Sequence, residues 1–323
     1  MSFFEVKKLN TTYSTFDGPL KAVEDVSFKL KRGKSLGIAG ESGCGKSTIS
    51  NSIMNLLPVL GRIDSGEIYL NGKNILEMDL EDFKQDIRWK KISMVYQGAM
   101  NALNPLMKIG NQISEAILFH EQVTKNEAFE RSKKLLKMVG IEESRVHNYP
   151  FQLSGGMKQR VMIAMALACN PELIIADEPT TALDVIVSRQ IINLLMDLKN
   201  ELNLSLILIT HDLSVMAQVC DEILIMYAGK IVEYCDIFTA YKNPVHPYTY
   251  LLLSSFPSLI GEKKRVDQIP GTPPSLINPP AGCRFHPRCQ HTKEICKTEV
   301  PQLVEIEEKH FCACHFAEAF MNR

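Results

Sequence analysis

Gly40-Glu41-Ser42-Gly43-Cys44-Gly45-Lys46-Ser47-Thr48 is a run whose residue types suit one task, the holding of phosphate. Glycines at 40, 43 and 45 let successive backbone N–H groups converge without Cβ clashes. Lys46 can reach the outer phosphates of a nucleotide, and the Ser47 hydroxyl can take a place on Mg²⁺. Downstream, Asp177-Glu178 closes the apolar run Leu173-Ile174-Ile175-Ala176. Asp177 can hold Mg²⁺ directly or through water, and Glu178 can polarise a water in line with the terminal phosphate. His211 and Gln97 end two further apolar stretches, where they can contact the phosphate, the metal ion or the attacking water. Ser154, Gly155 and Gly156, within Leu153-Ser154-Gly155-Gly156-Met157-Lys158-Gln159-Arg160, offer a hydroxyl and free N–H groups at the start of a helical stretch, a second anion site.

These groups need a scaffold that brings strand ends together. Residues 35–39 read as a strand and residues 49–57 as a helix, so the glycine run sits in strand–loop–helix order. Residues 92–96, 173–177 and 204–210 are short apolar runs of the kind found in buried parallel strands, whose C-terminal ends carry ligand sites in open α/β sheets. Residues 6–9, 22–30, 65–70 and 223–226 predict further strands, with turns at Asn71-Gly72 and Ala228-Gly229. Apolar residues recur at helical spacing over 109–120 and 127–139, and the helix opened by Ser154 is predicted to run on to Cys169.

The Leu-Ser-Gly-Gly-Met-Lys-Gln-Arg stretch, over a hundred residues after the glycine loop, resembles the signature of ABC transporter ATPase subunits. That resemblance implies an α/β fold: a P-loop NTPase core with an antiparallel β subdomain and an inserted helical subdomain over about 98–158. It implies that Ser154 and Gly156 close over ATP held by a facing subunit, so that two composite sites form in a head-to-tail dimer. It matches Asp184, in Ala182-Leu183-Asp184, to the loop linking the two sites, and Tyr13 to the aromatic that stacks on adenine. Phe16 lies close enough in sequence to take that part instead. The helical insert is the surface that, in the family, receives the permeases.

The chain has 323 residues, ample for more than one domain, and a net charge of −1 that gives no electrostatic case for nucleic acid as a partner. No secretory signal is evident, and the longest apolar runs fall far short of the roughly 20 residues of a membrane span. Composition changes near Asn243, after which Pro244, Pro247, Pro257, Pro270, Pro273, Pro274, Pro279 and Pro280 break the chain. The expected division is a nucleotide-binding domain over 1–242 and an irregular cysteine-rich domain over 243–323. Cys283, Cys289, Cys296, Cys312 and Cys314 crowd that tail. A cytosolic chain has little use for disulfides, and no C-x2-C pair marks a zinc knuckle. The spacing permits an Fe–S cluster, the alternative being a set of buried, unligated thiols.

The runs Asn243-Pro244-Val245-His246-Pro247-Tyr248-Thr249, Ile269-Pro270-Gly271-Thr272-Pro273-Pro274 and Gly282-Cys283-Arg284-Phe285-His286-Pro287-Arg288-Cys289 narrow the resemblance to the ATPases of oligopeptide and dipeptide importers. Some of these hold a [4Fe–4S] cluster in the tail, with a fourth cysteine preceding a histidine. That pattern implies Cys283, Cys289, Cys296 and Cys314 as ligands. The stretch from Gln97 to Pro105, Gln-Gly-Ala-Met-Asn-Ala-Leu-Asn-Pro, departs from the family's commoner form on the permease-facing side, and Cys44 stands where Ser is common. The chain is therefore expected to be a peripheral subunit at the cytoplasmic face of the membrane, using ATP and Mg²⁺. Its expected partners are a paralogous ATPase, two permeases and, indirectly, an extracellular solute-binding protein. The alternatives are the same role in an oligosaccharide importer, or a non-transport ABC ATPase.

Overall fold

The structure, a computed structural model, describes residues 2–96, 98, 102–255 and 269–321. It contains two compact units, one of Met1–Phe3, Leu30–Lys34 and Leu70–Leu208, the other of Phe4–Lys29, Ser35–Tyr69 and Ile209–Arg323.

In the first unit the strands Ile92–Val95 and Leu173–Asp177 pair in parallel, Ile92 opposite Leu173 and Val95 opposite Ala176. Ser205–Ile209 lies on the other side of Leu173–Asp177. All five residues of Leu173–Asp177 are buried, which is why Leu173 to Ala176 are continuously apolar rather than alternating before the strand ends at Asp177. The helices Ile109–His120 and Lys125–Met138 pack on each other, and Ile113, Ile117, Leu135 and Leu136 on them are buried. The Ser114 and Ser132 hydroxyls meet inside that contact at 2.8 Å. Lys125–Met138 begins at a capping box: Glu127 N–H donates to the Thr124 hydroxyl, and the Glu127 carboxylate accepts from Thr124 N–H.

Glu172, just before the strand Leu173–Asp177, accepts from Lys91 at 2.5 Å, Arg32 at 2.6 Å and Asn71 at 3.2 Å. Burial pushes its carboxyl up, but these three partners outweigh burial and lower it from 4.5 to about 2. A depressed carboxyl stabilises the fold above its unfolded value and loses that contribution as pH falls through the folded one. Because Arg32 and Lys91 are half-exposed, solvent screening discounts the shift. Glu172→Gln should destabilise the fold by about 1–2 kcal/mol at pH 7. The gap should close as pH falls from 4.5 toward about 2, and urea titrations at several pH values check this.

In the second unit Gly18–Leu30, Phe4–Thr15 and Gly61–Leu70 lie side by side in one sheet. In the other sheet Ser35–Ala39 pairs in parallel with Glu222–Tyr227, Leu36 opposite Glu222 and Ala39 opposite Ile225. Glu222–Tyr227 turns through Ala228 (φ 46°) and Gly229 (φ 84°) into antiparallel Lys230–Asp236. The tail then adds two strands, His310–Cys312 against Lys230–Asp236 and Val304–Glu307 against His310–Cys312.

Glu233 pins that junction. Its fully buried carboxylate accepts from Val245 N–H and His246 N–H, each at 2.9 Å, and meets His310 Nε2 at 2.7 Å. Cys235 lies close by, and burial and Glu233 hold its thiol well above the usual range. These contacts tie the tail strand His310–Cys312 to Lys230–Asp236. Among the described residues no helix is long and apolar enough to cross a membrane.

Candidate functional site

The glycine loop leaves the strand Ser35–Ala39 and enters the helix Lys46–Ile53. Gly40 (φ 147°), Gly43 (φ 78°) and Gly45 (φ 108°) all lie where L side chains are strained. A Cβ at Gly40 would stand 2.3 Å from the Met226 carbonyl oxygen, and one at Gly45 would stand 2.2 Å from that of Ala22. At Gly43 nothing lies within 4 Å. The loop is thus packed on one side and open on the other, which fits a backbone cradle for phosphate.

Lys46 is buried and donates to the carbonyl oxygens of Gly40 at 2.7 Å and Glu41 at 3.0 Å. Ser42 and Ser47 are exposed, and Thr48 is buried. Burial pushes the Cys44 thiol up against the pull of the Lys46 ammonium, so Cys44 acts as a small apolar residue under the loop. Tyr13 is half-buried, and its hydroxyl reaches Thr48 Oγ1 at 3.3 Å. Phe16 is fully exposed. His211 is exposed in the turn that leads to the helix Leu213–Val219. All of these residues belong to the second unit.

The loop has a partner that local sequence does not reveal. Glu41 N–H donates to the Tyr248 hydroxyl at 2.9 Å, and the Glu41 carboxylate accepts both arms of the Arg288 guanidinium at 2.6 and 3.0 Å. Arg288 stands 247 residues away, among the tail cysteines. A lone Glu in a glycine loop and an Arg beside a cysteine carry no pattern that would join them.

The first unit holds Asp177, Glu178, the signature and Asp184. Asp177 is buried at the end of its strand. Glu178 follows at φ 46°, left-handed without being glycine, and its carboxylate accepts from Thr181 Oγ1 at 2.9 Å. That hydroxyl holds the carboxylate in one orientation. Ser154 caps the helix Gly155–Ala166, its oxygen accepting from Met157 N–H at 3.3 Å. The hydroxyl proton stays available for an anion. The helix stops at Ala166, and residues 167–169 form a turn, short of the expected end at Cys169. A Cβ at Gly156 would stand 2.5 Å from the Val187 side chain, so this glycine is needed for close packing. Asp184 caps the helix Val185–Glu201 through Val187 N–H at 2.9 Å. Gln97 lies outside the described residues, as do residues 99–101 of the same stretch.

In the tail, Cys283, Cys289, Cys296 and Cys314 line one pocket, walled by Phe285 and Phe316. Cys312 is buried instead in a small core with Val245, Ala317 and Phe320. Burial pushes the Cys283 thiol up to about 11 and the Cys314 thiol up to about 12. N–H groups of Phe285 and His286 on Cys283, of His291 on Cys289 and of Phe316 on Cys314 pull the other way. N–H donors aimed at buried sulfurs are what thiolates on an Fe–S cluster use. Among the described residues no three of these sulfurs lie mutually within 4.8 Å. One tetrahedral zinc would draw them to roughly 3.8 Å, from a Zn–S bond near 2.3 Å. Four thiols around one pocket meet the ligand count of an Fe–S cluster and of a structural zinc alike.

Comparison with known proteins agrees with the geometry. The family model described as "ABC transporter" matches residues 23–181, and that described as "Oligopeptide/dipeptide transporter, C-terminal region" matches residues 232–296. The oligopeptide transport ATP-binding protein OppD of Escherichia coli is 46% identical over 97% of this chain and 93% of its own length. The dipeptide transport ATP-binding protein DppD of Caldanaerobacter subterraneus is 42% identical over 97% and 96%. Among solved structures, the dimeric post-hydrolysis state of the ATP-binding cassette MJ0796, bound to ADP and Pi, matches with a TM-score of 0.65 at 32% identity, over 72% of this chain and 98% of that one.

Proposed function

From the premise that this chain belongs to the ABC transporter ATP-binding family, in its oligopeptide and dipeptide branch, we propose that it is the ATP-hydrolysing subunit of a peptide importer. The observation that carries this reading is the match to OppD across cassette and tail alike.

Backbone N–H groups from Gly40 to Thr48 cradle the phosphates, with Ser42, Gly43, Cys44 and Gly45 forming the loop and Lys46 countering the outer charge. Support comes from the one-sided packing of the loop. Ser47, Gln97 and Asp177 would hold Mg²⁺, which when bound neutralises charge on the outer phosphates. Tyr13 stacks on adenine. Glu178 takes the proton of the attacking water, and His211 reads the terminal phosphate. Positioning and charge neutralisation supply most of the rate, since a loose phosphoryl transition state leaves little covalent chemistry to catalyse. Ser154, Gly155, Gly156 and Asp184 complete the site of a second ATPase subunit, a paralogue of this chain. The dimeric, ADP- and Pi-bound MJ0796 cassette supports pairing of two cassettes as such. ATP then draws two subunits together, and closure drives two permeases fed by an extracellular binding protein. The subunit works at the cytoplasmic face of the membrane, with its helical insert toward the permeases. A [4Fe–4S] cluster on Cys283, Cys289, Cys296 and Cys314 would brace the tail.

Reconstitution in liposomes with the two permeases, the paralogous ATPase and the binding protein tests this. MgATP should drive uptake of labelled di- or oligopeptides. Lys46→Ala should weaken nucleotide binding by about 100-fold, as loss of a charge-assisted contact of roughly 3 kcal/mol implies, and should abolish uptake. Uptake of oligosaccharides in place of peptides would move the assignment to a sugar importer.

A further inference from the structure

Two tail residues, Arg288 and Tyr248, hold Glu41 of the phosphate loop, and neither contact is required by the chemistry of hydrolysis. Arg288 is 7% exposed, yet every nitrogen of its guanidinium is engaged. Both terminal nitrogens fork onto Glu41, one of them also reaching the Tyr227 hydroxyl at 3.2 Å. Nε donates to the Pro270 carbonyl at 2.6 Å. Beneath the pair, Tyr227 packs against Tyr248 with ring centres 4.7 Å apart and edge-on to Phe285 at 5.1 Å. Tyr248, in turn, takes the Glu41 N–H. Phe285 and Arg288 both belong to the run that carries Cys283 and Cys289.

Glu41 is thereby fixed at both its side chain and its backbone, and its carbonyl is one of the two that hold Lys46. The chain of contacts runs from the Arg288 guanidinium to the Glu41 carboxylate, then along the Glu41 backbone to the Lys46 ammonium. A bidentate guanidinium–carboxylate pair fixes direction as well as distance, and its burial shields it from solvent screening.

We infer that Arg288 is a positioning residue for the phosphate loop: through Glu41 the tail sets the conformation in which the loop receives the nucleotide's phosphates. This rests on the proposed binding of ATP at that loop. A loop held in its binding conformation loses less freedom when the ligand arrives, so removing the clamp should act on affinity more than on the chemical step.

Binding of a fluorescent ATP analogue to the full chain, and ATP hydrolysis by it, provide the test. Arg288→Gln should weaken nucleotide binding about tenfold, the equivalent of roughly 1.4 kcal/mol, with the loss appearing in KM rather than kcat. Arg288→Lys, which keeps the charge without the fork, should recover part of the loss. Glu41→Gln should match Arg288→Gln, and the double variant should be no worse than either. If Arg288→Gln fails to fold, Glu41→Gln tests the same pair from the loop side. Wild-type affinity in a folded single variant, or losses that simply add in the double variant, would overturn the inference. Failure of the unaltered chain to bind the analogue would instead overturn the nucleotide assignment.

Discussion

Replacing Glu178 by Gln should leave MgATP binding intact while lowering hydrolysis about 100- to 10,000-fold, the range expected when a positioned general base is lost. The amide has the shape of the carboxylate but cannot take the water's proton. Two observations favour Glu178 for this role. It stands at φ 46° directly after a fully buried strand, a backbone conformation that a non-glycine residue rarely holds without cause. Its carboxylate is oriented by Thr181 within the same turn. Because binding survives while turnover stops, the ATP-bound dimer should accumulate. Size-exclusion chromatography with MgATP would show a shift to the dimer for the variant and not for wild type. Substantial turnover by the variant would remove Glu178 from the role of base.

The parts of the molecule written in local patterns were legible from sequence. The run Ser35 to Ala39 was legible as a buried strand because Leu36 to Ala39 carry no polar side chain, while buried Ser35 bonds Val219 and Asp221. The spacing over 109–120 gave the helix Ile109–His120 end to end. The following helix begins at Lys125, two residues before the apolar spacing placed it, because Thr124 and Glu127 form a capping box that apolar periodicity does not register. The tail strands Val304–Glu307 and His310–Cys312 escaped for a different reason. They are three or four residues long, and although Val304-Glu305-Ile306-Glu307 alternates, the run is too short to stand out and none of its residues is buried. Their place in the sheet is secured from afar by Glu233, whose partners lie 12, 13 and 77 residues away. The Glu41–Arg288 pair is the extreme case, since its meaning exists only once the tail has folded back beside the loop. Proline-rich composition marked a change of texture near Asn243 but not the return of the chain.

The tail should hold a [4Fe–4S] cluster, and protein purified without oxygen should be brown with about four irons per chain. The four thiols line one pocket, and backbone N–H donors reach Cys283, Cys289 and Cys314. The segment around them has short elements and many prolines, and ligation would supply the constraint that apolar burial does not. Serine at Cys283, Cys289, Cys296 or Cys314 should bleach the colour and expose the tail to protease. MgATP binding should persist, weakened by no more than Arg288→Gln weakens it, because the loop's own glycines and Lys46 remain. Serine at Cys312 should keep the colour, since that thiol belongs to the small core with Val245, Ala317 and Phe320 and not to the pocket. Zinc in place of iron after anaerobic purification, or a colourless tail that still resists protease, would return the four cysteines to a role in packing.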